Sequence, residues 1–337
     1  MKKLVFLAVA VAACVAVYAA APTYKVSSKI KIGGAPRWDY SFVDSTNHRL
    51  YVSHGTQTEV LDTATDKVVG TIPDTKGVHG IAVAEDLGKG FTSNGTTNDV
   101  TIFDLKTLKV TGNVKTGANP DAIIYEPVTK RVLTLNGRSN DATIFDANSG
   151  QVFSAGVPVG GKPEFAQIDG KGHVYVNIED KNEIIEITAK DSIVSKRYSI
   201  APCDGPSGLA IDRAKMRLYS VCGNKTMVIS DPVAGKVIGT AEIGAGPDGV
   251  AFDDGYAFSA NGRDGNITMV GETAPGKFGP VATIPTQPGA RTIAADQKNH
   301  KLYLPAAEMG PAPPPKDGKA GRPQPLPDTF MVVVVSR

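Results

Sequence analysis

Apolar positions in this chain come in short aromatic and β-branched runs bounded by Gly, Asn, Asp or Pro, the pattern of antiparallel strands joined by tight turns. Helical spacing is confined to the first residues. A turn leading into an apolar strand recurs at Pro36-Arg37-Trp38-Asp39, Val78-His79-Gly80-Ile81, Pro120-Asp121-Ala122-Ile123 and Pro163-Glu164-Phe165-Ala166. It returns at Pro206-Ser207-Gly208-Leu209, Pro247-Asp248-Gly249-Val250 and Ala290-Arg291-Thr292-Ile293. Successive offsets are 42, 42, 43, 43, 41 and 43 residues. That period matches the ~40 to 45 residues of a four-stranded propeller blade and not the ~34 of helical repeats.

Each copy carries a second strand, such as Arg49-Leu50-Tyr51-Val52-Ser53 or Arg131-Val132-Leu133-Thr134-Leu135-Asn136, and a third, such as Ala142-Thr143-Ile144-Phe145-Asp146. After the seventh copy only one more strong strand follows, Phe330-Met331-Val332-Val333-Val334-Val335, so the last blade lacks its outer strand. Residues 24–32 read as a spare strand that can supply it and close the ring. The expected fold is an all-β, seven-bladed propeller of four-stranded antiparallel blades. A sandwich or an open solenoid needs no donated strand.

Composition narrows the class. Hydrophobic residues are 41% and charged residues 21%, which excludes a multi-span membrane protein and a disordered chain. Lys2 and Lys3, the apolar run 4–17 and the small residues after it form a secretory signal, expected at 1–19 with cleavage after Ala19. The propeller then occupies 20–337, in the periplasm or outside the cell. Val11-Ala12-Ala13-Cys14 resembles a lipobox, but the apolar stretch after Cys14 argues against acylation there. Formal charge is +2 for the whole chain and reaches balance once Lys2 and Lys3 are removed, so nothing favours nucleic acid. No later run is long enough to span a bilayer.

The repeat resembles the YVTN-repeat β-propellers, in particular the secreted seven-bladed YncE-like group. Tyr51-Val52-Ser53-His54, Phe91-Thr92-Ser93-Asn94-Gly95, Leu133-Thr134-Leu135-Asn136-Gly137 and Tyr175-Val176-Asn177 carry the resemblance. So do Cys203-Asp204-Gly205-Pro206-Ser207-Gly208-Leu209-Ala210 and His300-Lys301-Leu302-Tyr303-Leu304-Pro305. The Gly-His and Trp-Asp signature of WD40 blades is absent. The resemblance implies fold and export, and it assigns no catalytic residue.

Period and resemblance together place Arg37, His79, Asp121, Glu164, Ser207, Asp248 and Arg291 around one mouth of the central channel. His54, Asn94, Asn136, Asn177, Cys222 and Asn261 fall just outside. Cys203 and Cys222 then lie on adjacent strands of the fifth blade, and an oxidising compartment favours a disulfide between them. Asp121, Glu164 and Asp248, with Asn136, Asn177 and Asn261, offer oxygens suited to Ca2+ or Mg2+. That set resembles the metal sites of propeller lactonases, where the ion polarises a carbonyl. Arg37 and Arg291 could neutralise the same carboxylates instead. His54 and His79 could serve as base or ligand, but no Ser-His-Asp spacing recruits them, and solvated loop histidines are the plainer reading. Cys-x-x-Cys-His is absent, which excludes covalent haem of the c type. The Asn-Gly pairs at 94–95, 136–137 and 261–262 read as hairpin turns needing positive φ.

Residues 309–328 break the period with a Pro-rich insertion that topology hangs over the mouth, in a form suited to peptide recognition. The expectation is a monomeric exported protein that binds a protein, an envelope component or a small ligand at the mouth. A metal-dependent lactonase-type hydrolase is the alternative.

Overall fold

A computed structural model describes residues 21–314, 321 and 323–337; the expected signal segment 1–19, Cys14 and part of the Pro-rich insertion lie outside them. The chain forms seven four-stranded antiparallel sheets. Their first strands are Ser41–Asp44, Val78–Ala84, Pro120–Glu126, Pro163–Ile168, Pro206–Asp212, Pro247–Asp253 and Ala294–Asp296. The seventh blade takes its outer strand, Lys25–Lys31, from the other end of the chain, in antiparallel register from Lys25 with Ser336 to Lys31 with Met331. Tyr24 locks this closure, donating from its hydroxyl to Asp253 at 2.7 Å and accepting from Arg337 Nε at 3.2 Å. Among the described residues no helix is long and apolar enough to cross a membrane.

Strand alternation sends one face of each blade to each neighbour, so the core lies between blades. Leu133, Leu135 and Ile144 of blade three pack on Val174, Val176 and Ile185 of blade four. Tyr51 meets Phe103 at 5.7 Å and Phe91 meets Phe145 at 6.0 Å across the two preceding boundaries. Cys203 and Cys222 are joined, with Cα atoms 5.4 Å apart, and the bond ties the loop before the fifth blade to its second strand.

The turns differ from the expected hairpin chemistry. Positive φ falls at Asn98, Asn140 and Gly265, not at Gly95, Gly137 and Gly262. Two of these loops close by a backbone bond four residues along, from Asn140 N to Asn136 O at 2.9 Å and from Gly265 N to Asn261 O at 2.9 Å. Gly95 and Gly262 serve close approach instead. A Cβ on Gly95 would stand 2.7 Å from His79 Nε2, and one on Gly262 would stand 2.6 Å from the Arg291 Cβ.

Candidate functional site

Inner strands pair with second strands in one register throughout the ring. Ser41 faces Val52, Ile81 faces Thr92, Ile123 faces Thr134, Ala166 faces Val176, Leu209 faces Ser220 and Val250 faces Ser259. Two residues upstream stand Asp39, His79, Asp121, Glu164, Ser207 and Asp248. The seventh blade, where Ala294 faces Tyr303, adds Arg291. In blades two to six the register shifts at this point, as between Pro120 and Ile123, so the mouth residue occupies a bulge. A bulge frees a side chain from the pleat and re-aims it.

Each neighbouring blade steadies the backbone of the next. Tyr40 N donates to His79 O at 3.2 Å, Gly249 N to Arg291 O at 2.8 Å, and Thr292 Oγ1 to Asp39 O at 2.6 Å. Ser93 Oγ does the same for Asp121 O, and Asn177 Nδ2 for Ser207 O at 3.0 Å.

Above this frame the side chains converge. His79 Nδ1 lies 2.6 Å from Asp39 Oδ2 and 3.5 Å from Asp121 Oδ1. Arg291 Nε donates to Asp248 Oδ2 at 2.8 Å, and its Nη2 reaches the Trp38 carbonyl at 3.0 Å and lies 3.7 Å from Asp39 Oδ1. Lys162 Nζ bridges Glu164, at 2.7 Å, and Glu179. Burial, reinforced by the Asp39 charge, pushes the Asp121 carboxyl up to about 7 against the pull of His79. Burial and the Asp121 charge push Glu164 up to about 8 despite Lys162, and burial holds Asp248 at about 6 despite Arg291. Burial alone would lower the His79 imidazole, but its bond to Asp39 and the charges of Asp121 and Asp39 raise it.

Tyr40 and Phe165 floor the cup, their rings meeting edge to face across the channel at 5.0 Å. The Pro-rich arm overhangs one side. Its root is a two-stranded clamp, with Gly310 N bonded to Gln324 O and Leu326 N to Glu308 O, both at 2.8 Å. A cavity of about 460 Å3 is enclosed by Arg37, Trp38, Asp39, His79, Arg291 and Pro325. A second, of about 760 Å3, lies between Trp38, Arg263, Met309 and Pro323.

Several expected residues stand elsewhere. Asp39, not Arg37, holds the first blade's mouth position, because the Pro36 turn precedes a short inner strand that starts only at Ser41. Arg37 lines the cavity wall. Asn136 and Asn261 are fully buried within their own blades, Asn136 donating to Asp141 and Thr143 at 2.6 and 3.0 Å and the Asn261 amide bonded to Ser259, Asn266 and Thr268. Asn94 does the same with Asp99 and Thr101. Asn177 sits one residue out of step with them and braces blade five. His54 is a partly buried structural group, bonded through Nδ1 to Glu59 at 2.8 Å and through Nε2 to Ala35 O at 2.9 Å, with its ring against Phe330. The expected Ca2+ or Mg2+ set of Asp121, Glu164 and Asp248 is therefore not assembled with its asparagines, and Lys162 and Arg291 occupy two of its carboxylates. The group whose ligand atoms do converge among the described residues is Asp39, His79 and Asp121. Counting back from the strand pair, and not forward from the proline, is the sequence signal that finds Asp39.

No protein-family model matches the chain, and no curated protein matches it. Among solved structures it is similar to the Kuenenia stuttgartiensis hydrazine synthase, at 16% identity and TM-score 0.70, covering 82% of this chain and 94% of that one. It is also similar to U3-55K, at 6% identity and TM-score 0.74, covering 91% of this chain and 97% of that one. At these identities the likeness is one of fold.

Proposed function

We propose that this is an exported propeller of the YncE-like kind that works as a binding protein, taking a cationic group into the cup beneath the Pro-rich arm. The observation that carries the reading is the mouth ring. Four carboxylates, Asp39, Asp121, Glu164 and Asp248, face three permanent cations, Arg37, Arg291 and Lys162, and the pKa values of three of the four are raised. A site short of positive charge favours a ligand that supplies it. The Cys203–Cys222 bond supports export.

The test is a thermal-shift and NMR screen of alkylammonium compounds and basic peptides against matched anions. Cation-dependent shifts that weaken in Asp248→Asn are expected. Equal response to anions and cations removes the reading. Intact mass of the cell-derived protein should give a chain starting at Ala20, whereas a lipid-modified Cys14 would refute free export. Light scattering should return a monomer.

One observation favours the lactonase-type alternative, the convergence of His79 on Asp39 and Asp121. Turnover of lactones and esters with added divalent cation, abolished by Asp121→Asn, would establish it. Absence of turnover leaves a binding protein.

A further inference from the structure

Within the mouth, positive charge is unevenly shared. Arg291 serves Asp248 and reaches Asp39 only at 3.7 Å, Lys162 serves Glu164, and Asp39 and Asp121 have His79 between them. These three come from consecutive blades, and their ligand atoms, one imidazole nitrogen and two carboxylate oxygens, lie within 4.8 Å of one another. The nitrogen is Nδ1, since Nε2 is packed against Gly95.

One further observation points to an occupant. Asp121 Oδ1 is sealed from solvent and accepts no hydrogen bond. Tyr40, beneath it, stands close enough to Asp121, Asp39, Glu164 and Asp248 to feel all four charges. Buried polar groups in native proteins are nearly always satisfied, and those that are not mark a water or an ion.

We propose that Asp39, His79 and Asp121 together bind one divalent transition-metal ion of the Zn2+ type at the channel mouth. This deepens the reading of the mouth as a cation-binding cup. An imidazole nitrogen among two carboxylates selects the borderline ions over Ca2+, which wants a cage of oxygens that the buried asparagines do not provide. The ion takes the place of the proton that Nδ1 shares with Asp39, and that proton leaves to solvent, so uptake weakens as pH falls. The charges acting on this nitrogen are Asp39, Asp121 and Arg37, with Glu164, Asp248, Arg291 and Lys162 further round the ring and Tyr40 beneath.

The experiment is calorimetric titration of chelator-stripped protein with Zn2+ near neutral pH, in two buffers of different ionisation enthalpy. One equivalent and net proton release are expected. Affinity should fall at least ~10-fold in His79→Gln and in Asp121→Asn and stay unchanged in His173→Gln, a partly exposed histidine of the fourth blade's second strand. Should His79→Gln fail to fold, the His79 ring resonances of the wild type report directly, and they should shift on addition of Zn2+. No stoichiometric uptake, or uptake indifferent to His79→Gln and Asp121→Asn, overturns the site. Alkylammonium binding that persists without Zn2+ uptake removes the metal and leaves the cup; loss of both removes both.

Discussion

The channel has two chambers of similar size and opposite chemistry. The mouth encloses about 460 Å3 among Asp39, His79, Arg291 and Trp38. The far chamber, about 500 Å3, is walled by Ile81, Val83, Ile123 and Ile124, with Arg213 on its edge. Tyr40 and Phe165 stand between them. The first two blades contribute to both, so the contrast there comes from position along the strand. Where the inner strand is regularly paired, its side chains are committed to the blade interfaces and the apolar channel. Where the bulge interrupts pairing, they are released toward the mouth, and ionisable groups become tolerable.

The contrast breaks most severely if the partition goes. Tyr40→Ala should cost ~3 kcal/mol in urea unfolding and merge the chambers, while Tyr40→Phe, which keeps the ring, should be neutral within ~0.5 kcal/mol. A large loss in Tyr40→Phe would mean that its hydroxyl holds structure. Next in size is the difference between braced and released polar groups. Asn136→Ala should cost ~2 kcal/mol by stranding Asp141 and Thr143, whereas Asp121→Asn should leave stability at pH 5 nearly unchanged.

Raising the pH then separates the mouth from the rest. Asp121, Glu164 and Asp248 titrate higher folded than unfolded, so the folded state holds extra protons between about pH 4 and 8. Their contribution is present in acid and lost as pH rises through 6 to 8, and the raised His79 acts in the same direction. Asp121→Asn should therefore gain thermal stability over wild type at pH 8.5, by ~2 °C, and lose that advantage at pH 5. An equal effect at both pH values refutes the assignment. The smallest effect belongs to the far chamber: Arg213 is exposed and among the described residues bonds only the Ile168 carbonyl, at 2.9 Å, so Arg213→Ala should stay within ~0.5 kcal/mol.

Architecture was legible because it rests on periodicity, and seven repeats leave little freedom in blade number or in the need for a closing strand. The Cys203–Cys222 pair followed once the strands were placed. The site was less legible because polar residues of one type do two jobs in adjacent positions. Asn136 and Asp121 both border an apolar run next to a turn, yet Asn136 is locked into its blade and Asp121 faces the cup. A shift of two residues in blade one replaced Asp39 by Arg37 and so inverted the local charge. His54 looked like a loop histidine only because Glu59, which takes up its Nδ1, lies on the next strand. Side-chain partners across strands depend on register to the single residue, which a period of about 42 cannot supply.

The joint that closes the ring bears on how the molecule is made. Ser27 bonds Val334 across 307 residues of chain, while the other six blades are each assembled from neighbouring segments. Those blades can form in order as the chain emerges, but the circle stays open until the last strand arrives, and loop closure over that distance is a late and slow step. Until then Lys25–Lys31 has no strand to pair with, and Lys301–Ala306 is an open edge of the nascent protein and its aggregation-prone surface. A circular permutant that joins the present termini and opens the chain between two blades would move that vulnerable moment to a different strand.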